Sequence, residues 1–577
     1  PAPMVLRNSG RVGRCQLYKA RVLRSTGFFY WRAFTISLFV IRFNENKYLM
    51  IKIFTQKLEI TWFFISLLCF VLILPFSQAL VSIFGGIILF TALVEDSWSN
   101  KLNRLKQNRI LLFIPGIFLI YLLSFIIFYK PGNSLYDLQK TMFFLVIPFA
   151  FILGKPLKPF QKRFLFYAFA ISIFVATVVA LVNWFVRSEP ENFGVHKISL
   201  ISHIRFSFQL ILIFWFLVIL IQKNKERLNK YIKAGLLLMA IYFLLFLFFQ
   251  QSLTGLIAFG ASLLFTVFLL IQAQKKYRII LHSLLVVLII VPVFYSLVII
   301  NSFYKIEKIN RETIEKTTAL GNPYEHDFEN PAVENGRYTF LYVCHDEMRE
   351  EWNKISTKKY DGLLPNGYPL YSTLIRYLTS KGMKKDAEGI KSLTVQDIQN
   401  VENGISNIIF QQKKYTFYPR IYQTVWEFYM YSETGNPNYK SFSQRIEFTK
   451  AALTIIKNNF WVGVGAGNWK AEFKKAYISN NSKLEESLYA SSHNQYLNYM
   501  VKFGFLGLVI IVFFIAYPVI KSKSYSDPLF LIFLVFLFFA NFADSNFETH
   551  MGSSFFLFFY CLFVVYDSDF YLILPDK

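Results

Sequence analysis

IILHSLLVVLIIVPVFYSLVII, residues 279–300, decides the class of this protein. His282 and the phenol of Tyr295 are its only ionisable groups, and Lys275, Lys276 and Arg278 stand just before it. About 20 apolar residues cross a bilayer core as a helix. A buried helix of a soluble protein rarely stays apolar on every face for that distance. Similar runs lie near 58–76, 78–95, 109–129, 139–154, 162–186, 205–222, 231–249 and 253–272. After a long polar stretch, three more follow near 501–520, 528–543 and 553–567. The pattern predicts an all-α polytopic membrane protein of about twelve helices, with one large helical loop between the ninth and tenth.

Composition agrees. Of 577 residues, 54% are hydrophobic and 17% charged, with 66 Phe and mean hydropathy +0.39. This composition excludes a disordered chain and a disulfide scaffold, and because soluble domains carry about a quarter charged residues, a string of soluble domains is not expected. Four scattered cysteines, Cys15, Cys69, Cys344 and Cys561, form no metal or disulfide framework. The net charge of +25 would suggest nucleic acid in a soluble protein. Here the basic residues fall between apolar runs, and no recognition-helix or zinc-finger spacing accompanies them, so no nucleic-acid partner is expected.

Loop charge sets the orientation. Lys101, Arg104, Lys106 and Arg109 follow the second run, and Lys155, Lys158, Lys162 and Arg163 the fourth. Lys223, Lys225, Arg227, Lys230 and Lys233 follow the sixth, Lys275, Lys276 and Arg278 the eighth, and Lys521 and Lys523 the tenth. Residues 77–80, 250–252 and 544–552 contain no Lys or Arg. By the positive-inside rule, both termini are cytoplasmic and the large loop is external. The expected divisions are a basic extension at 1–49, read as lying upstream of a start at Met50, a nine-helix bundle at 50–300, an external domain at 301–494, and three helices at 495–577. The external domain is expected to be helical, without a sheet.

Ionisable groups at a membrane edge are functional candidates, because burying an unpaired charge costs several kcal/mol. Arg205, in Ser202-His203-Ile204-Arg205, lies on the side where the charge rule expects few cations. It reads either as an arginine snorkelling to headgroups or as a bidentate anion ligand. Arg445 opens an apolar-periodic helix that runs into Gly463-Val464-Gly465-Ala466-Gly467. That run lacks the order of a dinucleotide fingerprint. It reads as a helix end where chain approaches the membrane, with N–H groups that could help hold an anion. His493, in Ser491-Ser492-His493-Asn494, marks re-entry and has the residue type of a general base. Cys344-His345-Asp346-Glu347 is too compressed for zinc, and no Ser/His/Asp order suggests hydrolysis.

Together, the helix count, the single large loop, Arg445, the Gly-x-Gly-x-Gly run and His493-Asn494 resemble the O-antigen ligase and polymerase superfamily. The layout covers 50–577 and the motifs 441–507, with Ser252-Leu253-Thr254-Gly255 in support. Phe460-Trp461 stands where family members often carry Pro, and most of 301–440 carries no family motif. The resemblance implies a metal-independent glycosyltransferase, without cofactor, in a bacterial inner membrane. Its donor would be a glycan on undecaprenyl diphosphate, and its acceptor the lipid A–core oligosaccharide at the periplasmic face. The polymerase branch would instead join lipid-linked repeat units. A protein O-oligosaccharyltransferase and a lipid-linked sugar flippase are the remaining alternatives. Carried over by motif, His493 is the base or positioner of the acceptor hydroxyl, Arg445 and Arg205 hold the diphosphate, and Lys140 is a weaker diphosphate ligand.

Overall fold

The computed structural model describes residues 60–128, 135–186, 199–364, 367–414, 416–566 and 568–571. The chain divides into a unit ending at Ile60 and a unit Thr61–Lys577. All elements below belong to the second unit, and the basic extension at 1–49 lies outside the described residues.

The bundle opens with α1 (Trp62–Ile73), α2 (Gln78–Val94), α3 (Trp98–Gln107), α4 (Phe113–Ile127), α5 (Tyr136–Thr141), α6 (Phe143–Leu153) and α7 (Pro159–Val186). It continues with α8 (His203–Lys223), α9 (Lys230–Phe249), α10 (Leu253–Ala273) and α11 (Arg278–Phe303). Among the described residues, seven helices are long and apolar enough to cross a membrane, or eight if α2 and α3 form one bent span. Shorter apolar helices occupy the positions of the first, eleventh and twelfth sequence runs. The bend between α2 and α3 is 114° and has a local cause. Asp96 sits at φ +86 and holds Arg104 of α3 at 2.7 Å, while Glu95 accepts the N–H groups of Trp62 and Phe63 at the start of α1. A helix N-terminus presents unpaired N–H groups, and Glu95 supplies the acceptor.

Between α11 and the last helices lies a folded layer of α12 (His345–Ile355), α13 (Leu370–Lys381), α14 (Ala387–Lys391), α15 (Val395–Glu402), α16 (Ile409–Gln412), α17 (Tyr418–Thr434), α18 (Ser441–Asn458) and α19 (Trp469–Ser479). The expectation of no sheet is corrected here. Two short antiparallel strands, β1 (Val333–Glu334) and β2 (Arg337–Tyr338), turn through Asn335 and Gly336, both at positive φ. Buried Glu334 explains their place. It is gripped by Arg376 of α13 at 2.6 Å and by Asn407 at 2.6 Å, which fastens the hairpin to the helices. Trp352, Tyr360, Leu374, Leu378, Ile390 and Val401 form the core of this layer. Phe303 at the end of α11 packs with Tyr422 and Tyr429 of α17, and α18 and α19 share a core with Val501.

The chain returns through α20 (Gln495–Ser522), α21 (Pro528–Ala543) and α22 (His550–Val565). α22 is short and buried on every face from Met551 to Phe563. It is therefore the centre of the bundle, and Phe558 stacks on Phe70 of α1 at 4.9 Å. α20 is broken at Gly504, whose φ of +64 and ψ of −169 are not helical.

Candidate functional site

The break in α20 explains the glycine run. A kink frees backbone groups that must find partners away from water. Val464 N–H donates to Val501 O at 2.9 Å and Gly465 N–H to Lys502 O at 2.9 Å. On the other side of the kink, Phe505 N–H donates to Phe460 O at 2.7 Å and Leu506 N–H to Trp461 O at 3.2 Å. Two backbones in this contact leave no room for a side chain. A Cβ on Gly463 would lie 2.6 Å from Lys502 C, and one on Gly504 2.3 Å from Trp461 C. The N–H groups of residues 464 and 465 are thus committed to α20, and Ala466 N–H goes to Ser124 of α4 at 2.9 Å. The run locks a broken helix, and the N–H groups of residues 464–466 already have partners within the protein.

Three of the four residues singled out by sequence meet at the end of α21. Arg205, in the first turn of α8, has Nη1 2.7 Å from Asp544 Oδ2. His493 Nδ1 lies 3.6 Å from Asp544 Oδ1. Arg445 of α18 donates from Nη1 to the carbonyl of Ala543, the last residue of α21. Burial opposes ionisation of Asp544, but His493 and the charge of Arg205 prevail and hold its pKa at about 2. It is therefore a carboxylate across the physiological range. His493 has φ +49, a conformation in which His is enriched among non-glycine residues. Its ring rests on Phe448 of α18, with centroids 5.4 Å apart, and 41% of its side chain is open to solvent.

Sequence reasoning missed two members. Asp544 is one; its signal was an acid between two apolar runs in a strongly basic chain. Arg420 of α17 is the other. Burial pushes its pKa down, Glu427 opposes that shift, and the charge of Arg445 adds to it. The charges of Arg420, Arg205 and Asp544 all reach His203. Nothing in the local sequence of Arg420 distinguishes it from a solvated helix charge; only the packing of α17 against α18 brings it here. Arg205 thus pairs with Asp544, Arg420 interacts with Glu427 and lies near enough to Arg445 for their charges to oppose each other, and burial raises the Glu427 pKa. The balance favours an anion that arginine grips bidentately.

Lys140 belongs to a neighbouring group. It lies 3.5 Å from Asp137, which accepts the indole N–H of Trp469 at 3.0 Å, and its charge reaches His550. Ser252-Leu253-Thr254-Gly255 has a packing role: Ser252 caps α10, and a Cβ on Gly255 would lie 2.4 Å from Ser207 Cβ. Gly255 therefore lets α10 close on α8 two residues beyond Arg205. Among the described residues, no three His, Cys, Asp or Glu gather as metal ligands.

Residues 394–512 match the O-antigen ligase family. The matched segment contains Arg420, Arg445, the glycine run, His493 and the kink in α20, while Arg205 and Asp544 come from outside it. No curated protein matches the chain. The O-antigen ligase match and the apolar helices support an integral membrane glycosyltransferase of the ligase or polymerase type, acting on a lipid-linked glycan and a glycan acceptor.

Proposed function

We propose that this protein moves a glycan from undecaprenyl diphosphate onto a hydroxyl of the lipid A–core oligosaccharide, at the periplasmic face of a bacterial inner membrane. The observation that carries the reading is the convergence of Arg205, Arg445 and His493 on residues 543–544. In this mechanism the acceptor oxygen attacks the anomeric carbon, and the bond from that carbon to the diphosphate oxygen breaks. His493 takes the acceptor proton on Nε2, because Nδ1 is directed at Asp544, whose carboxylate favours the tautomer with hydrogen on Nδ1. Negative charge grows on the departing diphosphate, where Arg445, Arg420 and Arg205 stabilise it. The diphosphate already activates the anomeric carbon, so the chemistry requires an aimed hydroxyl and placed cations. Attack opposite the leaving group inverts the anomeric centre; retention in the product NMR spectrum would overturn that step.

The distribution of charge supports the membrane orientation. Arg205, His493 and Asp544 lie at the ends of α8, α20 and α21 that adjoin one another. Lys162 and Arg163 instead bind carbonyls of Tyr566 and Phe570 beyond the other end of α22. The domain at 301–494 is assigned to the periplasmic side on this pattern and on the positive-inside rule.

The deciding experiment is a gel of surface lipopolysaccharide from the native host with and without the gene. Loss of all long-chain bands, with polymer retained on the lipid carrier, is the expected result. Core capped by a single repeat unit would identify a polymerase, and an unchanged ladder would reject both activities.

A further inference from the structure

His493 and Asp544 stand on separate loops, before α20 and after α21, and something must hold the loops in register. The residue placed to do so is Asn498, one turn into α20 and 1% exposed. Its Oδ1 accepts from Ser492 N–H at 3.2 Å and Ser492 Oγ–H at 2.7 Å, on the loop of His493. Its Nδ2 donates to Ser545 Oγ at 2.7 Å and Glu548 Oε2 at 3.4 Å, on the loop of Asp544. A third contact from Nδ2 reaches Ser491 Oγ at 3.3 Å. The assignment of oxygen and nitrogen follows from the partners, since a backbone N–H requires an acceptor and a carboxylate a donor. One planar amide thus bridges the residue before His493 and the residue after Asp544.

Its surroundings stiffen the bridge. Gln495, on the same turn and fully buried, accepts Phe547 N–H at 2.9 Å. Glu548 is fixed by Lys502 at 2.8 Å and by the hydroxyl of Tyr121 at 3.0 Å. Lys502 is 3% exposed; a buried ion pair adds little net stability, but removing one partner leaves an uncompensated buried charge.

We infer that Asn498 is a positioning residue, setting the separation of His493 and Asp544 and so aiming the imidazole at the acceptor hydroxyl. This rests on the reading of His493 as the base. Asn498 touches no reactant in this scheme, so its removal acts on turnover and not on donor binding. A misplacement of about 1 Å at a reacting group can cost about 100-fold.

The test uses the purified full-length protein, a donor of undecaprenyl-diphosphate-linked glycan, a lipid A–core acceptor, and the variants Asn498→Ala, Ser545→Ala, Asp544→Asn and His493→Asn. For Asn498→Ala, kcat should fall about 10- to 100-fold with donor KM within about twofold, measured below the lowered melting temperature that loss of a buried hydrogen-bonded amide brings. Once Asp544→Asn has removed the pair, adding Asn498→Ala should cost less than about twofold, because coupled residues are non-additive. Full additivity, or a wild-type kcat in Asn498→Ala, would overturn the inference. Should Asn498→Ala fail to reach the membrane, Ser545→Ala decides, since it deletes one strut and leaves the buried amide its other partners. A severalfold loss of kcat at constant KM supports the bridge, and a wild-type kcat overturns it. Activity retained by His493→Asn would instead overturn the site reading itself, which keeps the two failures apart.

Discussion

At the scale of single residues, His493 occupies a left-handed turn, and the choice of substitution follows from that. Alanine would add backbone strain at φ +49, whereas Asn tolerates the region and cannot act as the base. His493→Asn should reduce transfer at least 100-fold while the protein accumulates normally in membranes, as judged by immunoblot and by glycan transfer in isolated vesicles. Arg445→Lys should also lose most activity, because a point charge replaces a planar fork, and the loss should appear in donor KM. Asp544 gives a pH prediction whose sign is fixed. Its pKa near 2 lies below the ordinary carboxylate value, so its contribution to stability is complete above about pH 4. That contribution disappears as pH falls through the folded pKa. Thermal unfolding in detergent should therefore show a loss between about pH 4 and pH 2 that Asp544→Asn removes. Asp544 was readable in the sequence only as an acid in the wrong company. Arg420 and Asn498 gave no signal, because what places them at the site is remote in sequence: Arg445 on the following helix for Arg420, and Ser545 and Glu548 for Asn498.

At the scale of elements, the sequence placed most helices well and their interiors poorly. The runs at 205–222, 231–249, 253–272 and 279–300 correspond to α8, α9, α10 and α11 within a few residues, because hydropathy reports length in a bilayer directly. The run at 501–520 gave no sign that α20 begins six residues earlier and breaks at Gly504. A kink becomes legible once the partner of its freed backbone groups is known, and here that partner is the glycine run. Gly504→Ala or Gly463→Ala should therefore prevent accumulation of folded protein, since each Cβ would enter another backbone at a positive φ. Gly86→Ala is the matched control: its Cβ meets nothing within 4 Å, and a thermal-shift assay should show no loss. The hairpin of β1 and β2 escaped prediction for a different reason. Two-residue strands carry too little alternation to read, and the anchor at Glu334 depends on Arg376 and Asn407 from later helices.

At the scale of the whole molecule, the orientation proposed from loop charge is open to a direct check. Lys391 lies in the inserted layer and Lys225 in the basic turn after α8, and both are exposed. Lys391→Cys should react with a membrane-impermeant maleimide in intact spheroplasts, and Lys225→Cys only after lysis. Labelling in the opposite sense would invert the topology and place the arginine cluster in the cytoplasm. The sequence by itself determined that this is a membrane protein, where most of its helices run, and which His and Arg stand at the edges of its apolar runs. Those properties are local, written in runs of side chains and in the charges that flank them. Only the tertiary structure decided that Arg205, Arg445 and His493 share the end of α21, that Asp544 is the common partner of Arg205 and His493, and that the glycine run closes a broken helix. Contacts between residues far apart in the chain depend on how helices pack, and no short stretch of sequence carries that information.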